Sequence, residues 1–264
     1  MTTPETSGGS DSPITMVIDD HVATITISRP QVRNAIDMPT ALALAEALDA
    51  VDRNDDVRAA VVTGAGGFFC AGMDLKAYNA TKVRPIVPGR GAFGICERAT
   101  TTPLIAAVEG KALGGGFEIA LACDLIVAAE DAMFGLPEVS RGLVAAAGGV
   151  LRLPRLVPQK VALDMALTGV PITASTAAHH GLVARVVPPG HALNAAQGLA
   201  QTIARNAPMA VAVSKSLITS SAAWPENEMF DRQRPHTDRV RESRDAAEGA
   251  RAFVEKRPPV WSGT

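Results

Sequence analysis

β-Branched residues (Val17, Val22, Ile25, Ile27) flank the polar triplet Asp19-Asp20-His21, which predicts a hairpin from Ile14 closed by Pro30. From Pro39 to Arg53 the pattern changes. Leu42, Leu44/Ala45, Leu48 and Val51 recur at helical spacing among good helix formers. Short apolar runs at Val57–Thr63, Leu104–Glu109 and Leu125–Ala129 each read as a buried strand. Between the last two, Gly114-Gly-Gly-Phe-Glu-Ile-Ala-Leu-Ala-Cys123 reads as a glycine loop running into a buried helix. Strand and helix in alternation predict an α/β fold with mostly parallel pairing. After about Pro154 the chain turns mostly helical, over Gln159–Leu167, Ala174–His180, Ala192–Asn206, Met209–Ser220 and a charged stretch from Glu226 to Lys256. Only Val183–Val187 interrupts it as a strand. Glu226–Glu248 has little apolar face of its own, so this tail is expected to pack on the core or on a neighbouring subunit.

Apolar residues make up 47% of the 264 positions and charged ones 20%, enough apolar surface for a real core. Lys plus Arg number 25 and Asp plus Glu 27, a formal net charge of −2 that leaves no basic excess to meet a nucleic-acid backbone or an anionic membrane. Aromatics at 4% also argue against a base-stacking platform. Cys70, Cys96 and Cys123 are too scattered for a disulfide framework, and the five histidines lack His-Glu-x-x-His spacing, so no metal site is expected. Residues 1–13 are small and polar and read as a disordered tail without a signal peptide. No apolar run approaches the roughly 18 residues of a membrane span. A cytoplasmic protein is the expectation.

Glu118 is the most informative anomaly, because apolar residues surround it on a helix that can hardly leave the core. One reading is a helix-start carboxylate stabilised by the macrodipole. The other is a desolvated acid facing a ligand, with a raised pKa suited to proton transfer near neutrality. Glu138 follows the turn fixed by Pro137; a surface-loop carboxylate is the commoner reading of such a position. Gly64-Ala-Gly-Gly-Phe-Phe-Cys-Ala-Gly-Met-Asp74 and Leu113-Gly-Gly-Gly116 are either plain turns or sources of free backbone N–H groups of the kind an oxyanion hole uses. The chain has no Gly-x-x-x-x-Gly-Lys-[Ser/Thr] and no Gly-x-Ser-x-Gly. Phe69 and Ile119 occupy the third-glycine positions of a dinucleotide fingerprint.

Five separated segments resemble, in register from about Ile14 to Arg257, the crotonase (enoyl-CoA hydratase/isomerase) family. They are Phe69-Cys-Ala-Gly-Met-Asp-Leu-Lys76, the block Ala106–Asp124, Phe134-Gly-Leu-Pro-Glu138, Ala147-Gly-Gly149 and Glu248-Gly-Ala-Arg-Ala-Phe-Val-Glu-Lys-Arg257. The resemblance implies a spiral of ββα units over 14–205 carrying an acyl-CoA site. It also implies a C-terminal helical oligomerisation region over 206–264, which would make a homotrimer or a dimer of trimers. The amides of Ala71 and Gly115 would hold the thioester oxygen. Glu118 would activate the water that attacks C3, and Glu138 would deliver a proton to C2. Gly72, Met73, Asp74, Leu75 and Lys76 would line the coenzyme A path, with Asp74 and Asp124 bracing their loops. Arg33, Ala35 and Lys256 complete the expected substrate contacts.

The expected activity is that of an enoyl-CoA hydratase in fatty-acid metabolism, with coenzyme A as part of the substrate and no separate cofactor. The alternatives are a crotonase-family isomerase or other acyl-CoA lyase, and a non-catalytic acyl-CoA-binding subunit. One departure is Ala145-Ala146, where hydratases of the family commonly carry Pro-Gly.

Overall fold

The structure is a computed structural model that describes residues 6–7 and 12–264. The chain begins with β1 (Thr6–Ser7), β2 (Ile14–Asp19) and β3 (Val22–Ile27), followed by α1 (Met38–Arg53) and β4 (Ala59–Gly64). Next come α2 (Leu75–Thr81), the two-residue strands β5 (Ile86–Val87) and β6 (Gly91–Ala92), β7 (Leu104–Val108), β8 (Lys111–Leu113) and α3 (Gly115–Ala122). Then follow β9 (Leu125–Ala129), β10 (Met133–Gly135), α4 (Gly149–Leu156), α5 (Gln159–Thr168), β11 (Ile172–Thr173), α6 (Ala174–His179) and β12 (Arg185–Val187). The helices α7 (Ala192–Ala204), α8 (Pro208–Ser221), α9 (Met229–Arg241) and α10 (Arg244–Glu255) complete the chain.

Seven strands form the main sheet in the order β1-β2-β3-β4-β7-β9-β12, antiparallel up to β3 and parallel beyond it. A smaller sheet runs β11-β10-β8, and Cys70 extends it through a parallel bridge to Ala112. The connections make a spiral. Each of β4, β7 and β9 lays a strand in the main sheet, then crosses to the small sheet at Cys70, β8 and β10 respectively. The first two turns then enter α2 and α3. This is the expected ββα architecture, with a helical C-terminal region after it.

Burial on both faces explains why the parallel strands read as unbroken apolar runs. Ala60, Val62, Ala106 and Ala128 face the larger core with Leu44 and Leu48 of α1 and Phe117 and Ile119 of α3. Ala59, Val61, Ile105, Ala107 and Val127 face the opposite way, onto Ala196, Ala200 and Ala204, a one-residue-wide seam at i, i+4, i+8 of α7. Alanine at that seam lets the helix lie close to the sheet. The hairpin turn is the expected one, with Asp20 and His21 both at positive φ (44° and 64°).

The expected tail over residues 1–13 falls for the most part outside the described residues; within it, Thr6 and Ser7 pair with Val17 and Met16. The charged C-terminal stretch breaks into two helices at Ser243, whose hydroxyl accepts from Ala246 N and so starts α10. Among the described residues no helix is long and apolar enough to cross a membrane.

Candidate functional site

Two loops at the C-terminal ends of β4 and β7 meet backbone to backbone. The first, residues 64–74, is clamped by Asn34, a fully buried residue whose side-chain amide donates to Ala65 O (2.8 Å) and Phe68 O (2.5 Å) and whose oxygen accepts from Arg29 N (2.9 Å). Phe69 N and Cys70 N then donate to Glu109 O and Lys111 O, and Leu113 N returns a bond to Cys70 O. The contact with the second loop is close enough to require glycine. A methyl group on Gly72 (φ +90°) would lie 2.7 Å from Gly115 N, and one on Gly116 would lie 2.0 Å from Cys70 O.

Among the described residues, the amides without a protein acceptor at this contact include one from each loop. Gly115 N opens α3, where the first N–H groups have no intrahelical partner and the helix dipole adds positive potential. Met73 N is the other: its neighbours Gly72 O and Asp74 N form the bridge to Ile36, at 2.8 and 2.9 Å, and Met73 itself donates to nothing. Here the structure departs from the sequence reading. The Ala71 N–H donates to Arg33 O at 3.0 Å and is spent inside the protein, whereas the amide of Met73, two residues further on, is free.

Glu118 lies in the first turn of α3, 3% exposed, between Phe117 and Ile119, which have no exposure at all. One partner is fixed: its Oε1 accepts from Gly149 N, at the start of α4, at 2.9 Å. Burial pushes its pKa up to about 7 against the pull of that amide, and the nearby Glu138 carboxyl pushes the same way. Glu138 stands in the first turn of a short 3₁₀ segment, Pro137–Arg141, and burial raises its pKa too. It does not point into bulk solvent. Its Oε1 lies 3.1 Å from where a methyl group on Gly114 would sit, one residue before the free Gly115 amide, and its Oε2 is buried with no hydrogen-bond partner among the described residues. An orphaned buried carboxyl oxygen asks for a donor from outside the protein. Two buried carboxyls beside two unpaired amides can move protons next to a developing negative charge.

The remaining expected residues divide. Asp74 braces as expected: its Oδ1 caps α2 by accepting from Ala77 N (3.0 Å), and its Oδ2 pairs with Arg29 at 3.1 Å. Arg29 also pairs with Asp37, the cap of α1, at 2.9 Å, so one guanidinium ties both helix starts together. Asp124 accepts from Leu104 N (2.7 Å) and pairs with Lys215 at 2.6 Å. Arg33 supplies the carbonyl that takes Ala71, with its side chain exposed. Ala35 is buried and its carbonyl takes the Arg29 guanidinium. Leu75 and Lys76 are exposed at the start of α2. Leu143 and Val144 are exposed while Ala145 is buried against the turn that carries Gly149.

Lys256 lies at the end of the C-terminal helix. It closes α10 in the left-handed conformation, and the tail after it docks at the other end of β4: Trp261 Nε1 donates to Arg205 O (2.7 Å), and Arg58, which leads into the strand, reaches Trp261 O. The sequence reading missed Gly149 as the partner of Glu118 and Arg29 as the anchor of both caps. The Ala147-Gly-Gly149 motif was the available signal for the first; nothing in the local sequence marks the second.

Residues 18–264 match the enoyl-CoA hydratase/isomerase family. Among curated relatives, an enoyl-CoA hydratase of Mycobacterium tuberculosis is 42% identical over 247 residues, covering 90% of this chain and 92% of the relative. A carnitinyl-CoA dehydratase of Salmonella paratyphi A is also 42% identical, over 246 residues that cover 90% of this chain and 94% of the relative. Among solved structures, an enoyl-CoA hydratase of Mycobacterium tuberculosis superposes with a TM-score of 0.94 at 46% identity, covering 96% of this chain and all of that one. The chain therefore belongs to the enoyl-CoA hydratase/isomerase family and has its crotonase fold.

A raised carboxyl pKa has a stability consequence with a definite sign. Glu118 binds its proton more tightly folded than unfolded, so its contribution is fully present below about pH 4.5 and is lost as pH rises through about 7. Glu118→Gln keeps an acceptor for Gly149 N and removes the titration. In urea unfolding the variant should gain up to about 3 kcal/mol on the wild type between pH 5 and pH 8. A wild-type-to-variant gap that does not change over that range contradicts the assigned burial.

Proposed function

We propose that this member of the enoyl-CoA hydratase/isomerase family adds water across the C2–C3 double bond of a 2-enoyl-CoA thioester. The observation that carries the reading is the retention of two buried carboxyls, Glu118 and Glu138, beside the unpaired amides of Gly115 and Met73. Members of the family that only shift a double bond do not need a second acid for water.

The thioester oxygen accepts from the two amides, which strengthen their hold as it takes on enolate charge. A donor of this kind is worth about 10²- to 10³-fold in rate. Glu118 in its carboxylate form takes a proton from water as the water oxygen bonds to C3. The electron pair of the alkene moves to C2 and the thioester oxygen. Glu138 in its acid form then gives its proton to C2, and the product is the 3-hydroxyacyl thioester. With a pKa of about 7, Glu118 is partly ionised near neutrality, as the base role requires, and burial raises the proton affinity of Glu138. Coenzyme A enters as part of the substrate, and the amides supply the polarisation.

The carnitinyl-CoA relatives give a second reading, the same chemistry on an acyl group bearing a trimethylammonium. The two readings differ in the charge of the acyl group.

We also propose that residues 206–264 assemble the protein into a homotrimer or a dimer of trimers. Ile218, Phe230, Phe253 and Val254 of the C-terminal helices are each at least 75% exposed in the single chain, a concentration of apolar surface that calls for cover. Light scattering should give the mass of three or six chains; a monomer overturns this assignment.

The reaction is tested by following loss of the conjugated thioester absorbance with crotonyl-CoA and with its trimethylammonium analogue. Hydration of crotonyl-CoA is expected, with Glu118→Gln and Glu138→Gln each lowering kcat by about 10²- to 10⁴-fold. Near-normal turnover by either variant removes that residue from the mechanism. Turnover of the charged substrate alone transfers the protein to the second reading.

A further inference from the structure

We infer that Arg152 is a positioning residue that holds the turn carrying Gly149 and, through it, sets the orientation and proton affinity of Glu118. This rests on the hydratase reading above and extends it to a residue remote from the reacting atoms.

Arg152 sits on the first turns of α4, half-buried, and joins no ion pair among the described residues. Its guanidinium instead reaches two backbone carbonyls from different parts of the chain. One nitrogen donates to Cys96 O, on the loop that also presents Phe93 to Gly115; the other donates to Ala147 O at 3.4 Å. It thereby spans from the segment packed on the oxyanion helix to the turn that precedes α4. That turn is shaped around the arginine. Gly148 has φ +107°, and a methyl group there would lie 2.0 Å from Arg152 Nη1. The next residue, Gly149, donates the 2.9 Å bond to Glu118 Oε1. A methyl on Gly149 would press on that same oxygen at 3.1 Å, so the amide has little freedom to shift without moving the carboxyl.

The charge matters as well as the tether. The groups that bear on Glu118 are the backbone amides of Gly149 and Ala147, Glu138 from the 3₁₀ segment, Arg152 and the Cys96 thiol. Arg152 is the cation among them, and no carboxylate of its own neutralises it. A guanidinium cannot lose its proton in this range, so its field is constant across the working pH. It opposes the burial of Glu118 and the repulsion of Glu138, keeping a base available where desolvation alone would hold it protonated.

The test separates tether from charge and both from the reaction. Glu118 is titrated by NMR in protein labelled with carboxyl-¹³C glutamate, its resonance identified by its loss in Glu118→Gln. Crotonyl-CoA hydration is measured on the same preparations. Arg152→Met should move the Glu118 titration to higher pH, shift the acidic limb of kcat/KM with it, and lower kcat by about 10- to 100-fold at nearly unchanged KM. Arg152→Lys should leave the titration near the wild-type position and recover part of kcat, because it keeps the charge and loses the fork. A titration unmoved in Arg152→Met, or a loss confined to KM, overturns the inference. If Arg152→Met does not fold, Arg152→Lys decides: wild-type kcat overturns the tether, and a lowered kcat at unchanged KM upholds it. The NMR titration needs no substrate, so a wild type that fails to hydrate crotonyl-CoA removes the hydratase reading and leaves the Arg152–Glu118 coupling to be judged by itself.

Discussion

A carboxyl group held out of bulk solvent governs this structure. Glu118 is fixed on a helix buried from Gly115 to Leu121 and is itself 3% exposed. Leaving such a group ionised without partners costs several kcal/mol. The fold limits that cost with the amides of Gly149 and Ala147, the positive end of α3 and the constant charge of Arg152, and accepts the rest as a raised proton affinity. The neighbouring Glu138, half-buried, keeps one buried oxygen without a partner among the described residues. Chemistry at neutral pH follows from the same imbalance that destabilises the folded state.

The amides opposite these carboxyls depend on a second constraint, the approach of two loops at van der Waals contact. Glycine at 72 and 116 permits it, and Asn34, Arg29 and the bridges through Cys70 and Ile36 hold it. Ala71 N already has its acceptor in Arg33 O, whereas Met73 N and Gly115 N have none among the described residues. This is preorganisation in a literal sense: the donors are unpaired before any ligand arrives, so their alignment needs no rearrangement when charge develops.

Much of this was legible in the order of residues. The hairpin, α1, the buried parallel strands and the helical C-terminal half all follow from periodicity, because burial on one or two faces writes a repeat into the sequence. Glu118 stood out for a related reason, a charge inside an apolar helix. The short elements β8, β10, β11 and α4 did not stand out, since three residues carry no period and α4 holds a proline at position 154. The choice between the Ala71 and Met73 amides was also hidden. It turns on which backbone N–H is consumed by Arg33 O, a contact across 38 positions that no local pattern records.

A crystal structure with a saturated acyl-CoA that cannot react tests the central claim most directly. The thioester oxygen should lie about 3 Å from both Met73 N and Gly115 N, with C2 and C3 between the carboxyls of Glu118 and Glu138. A thioester oxygen bound at the Ala71 amide instead, or an acyl group seated away from the two carboxyls, would contradict it.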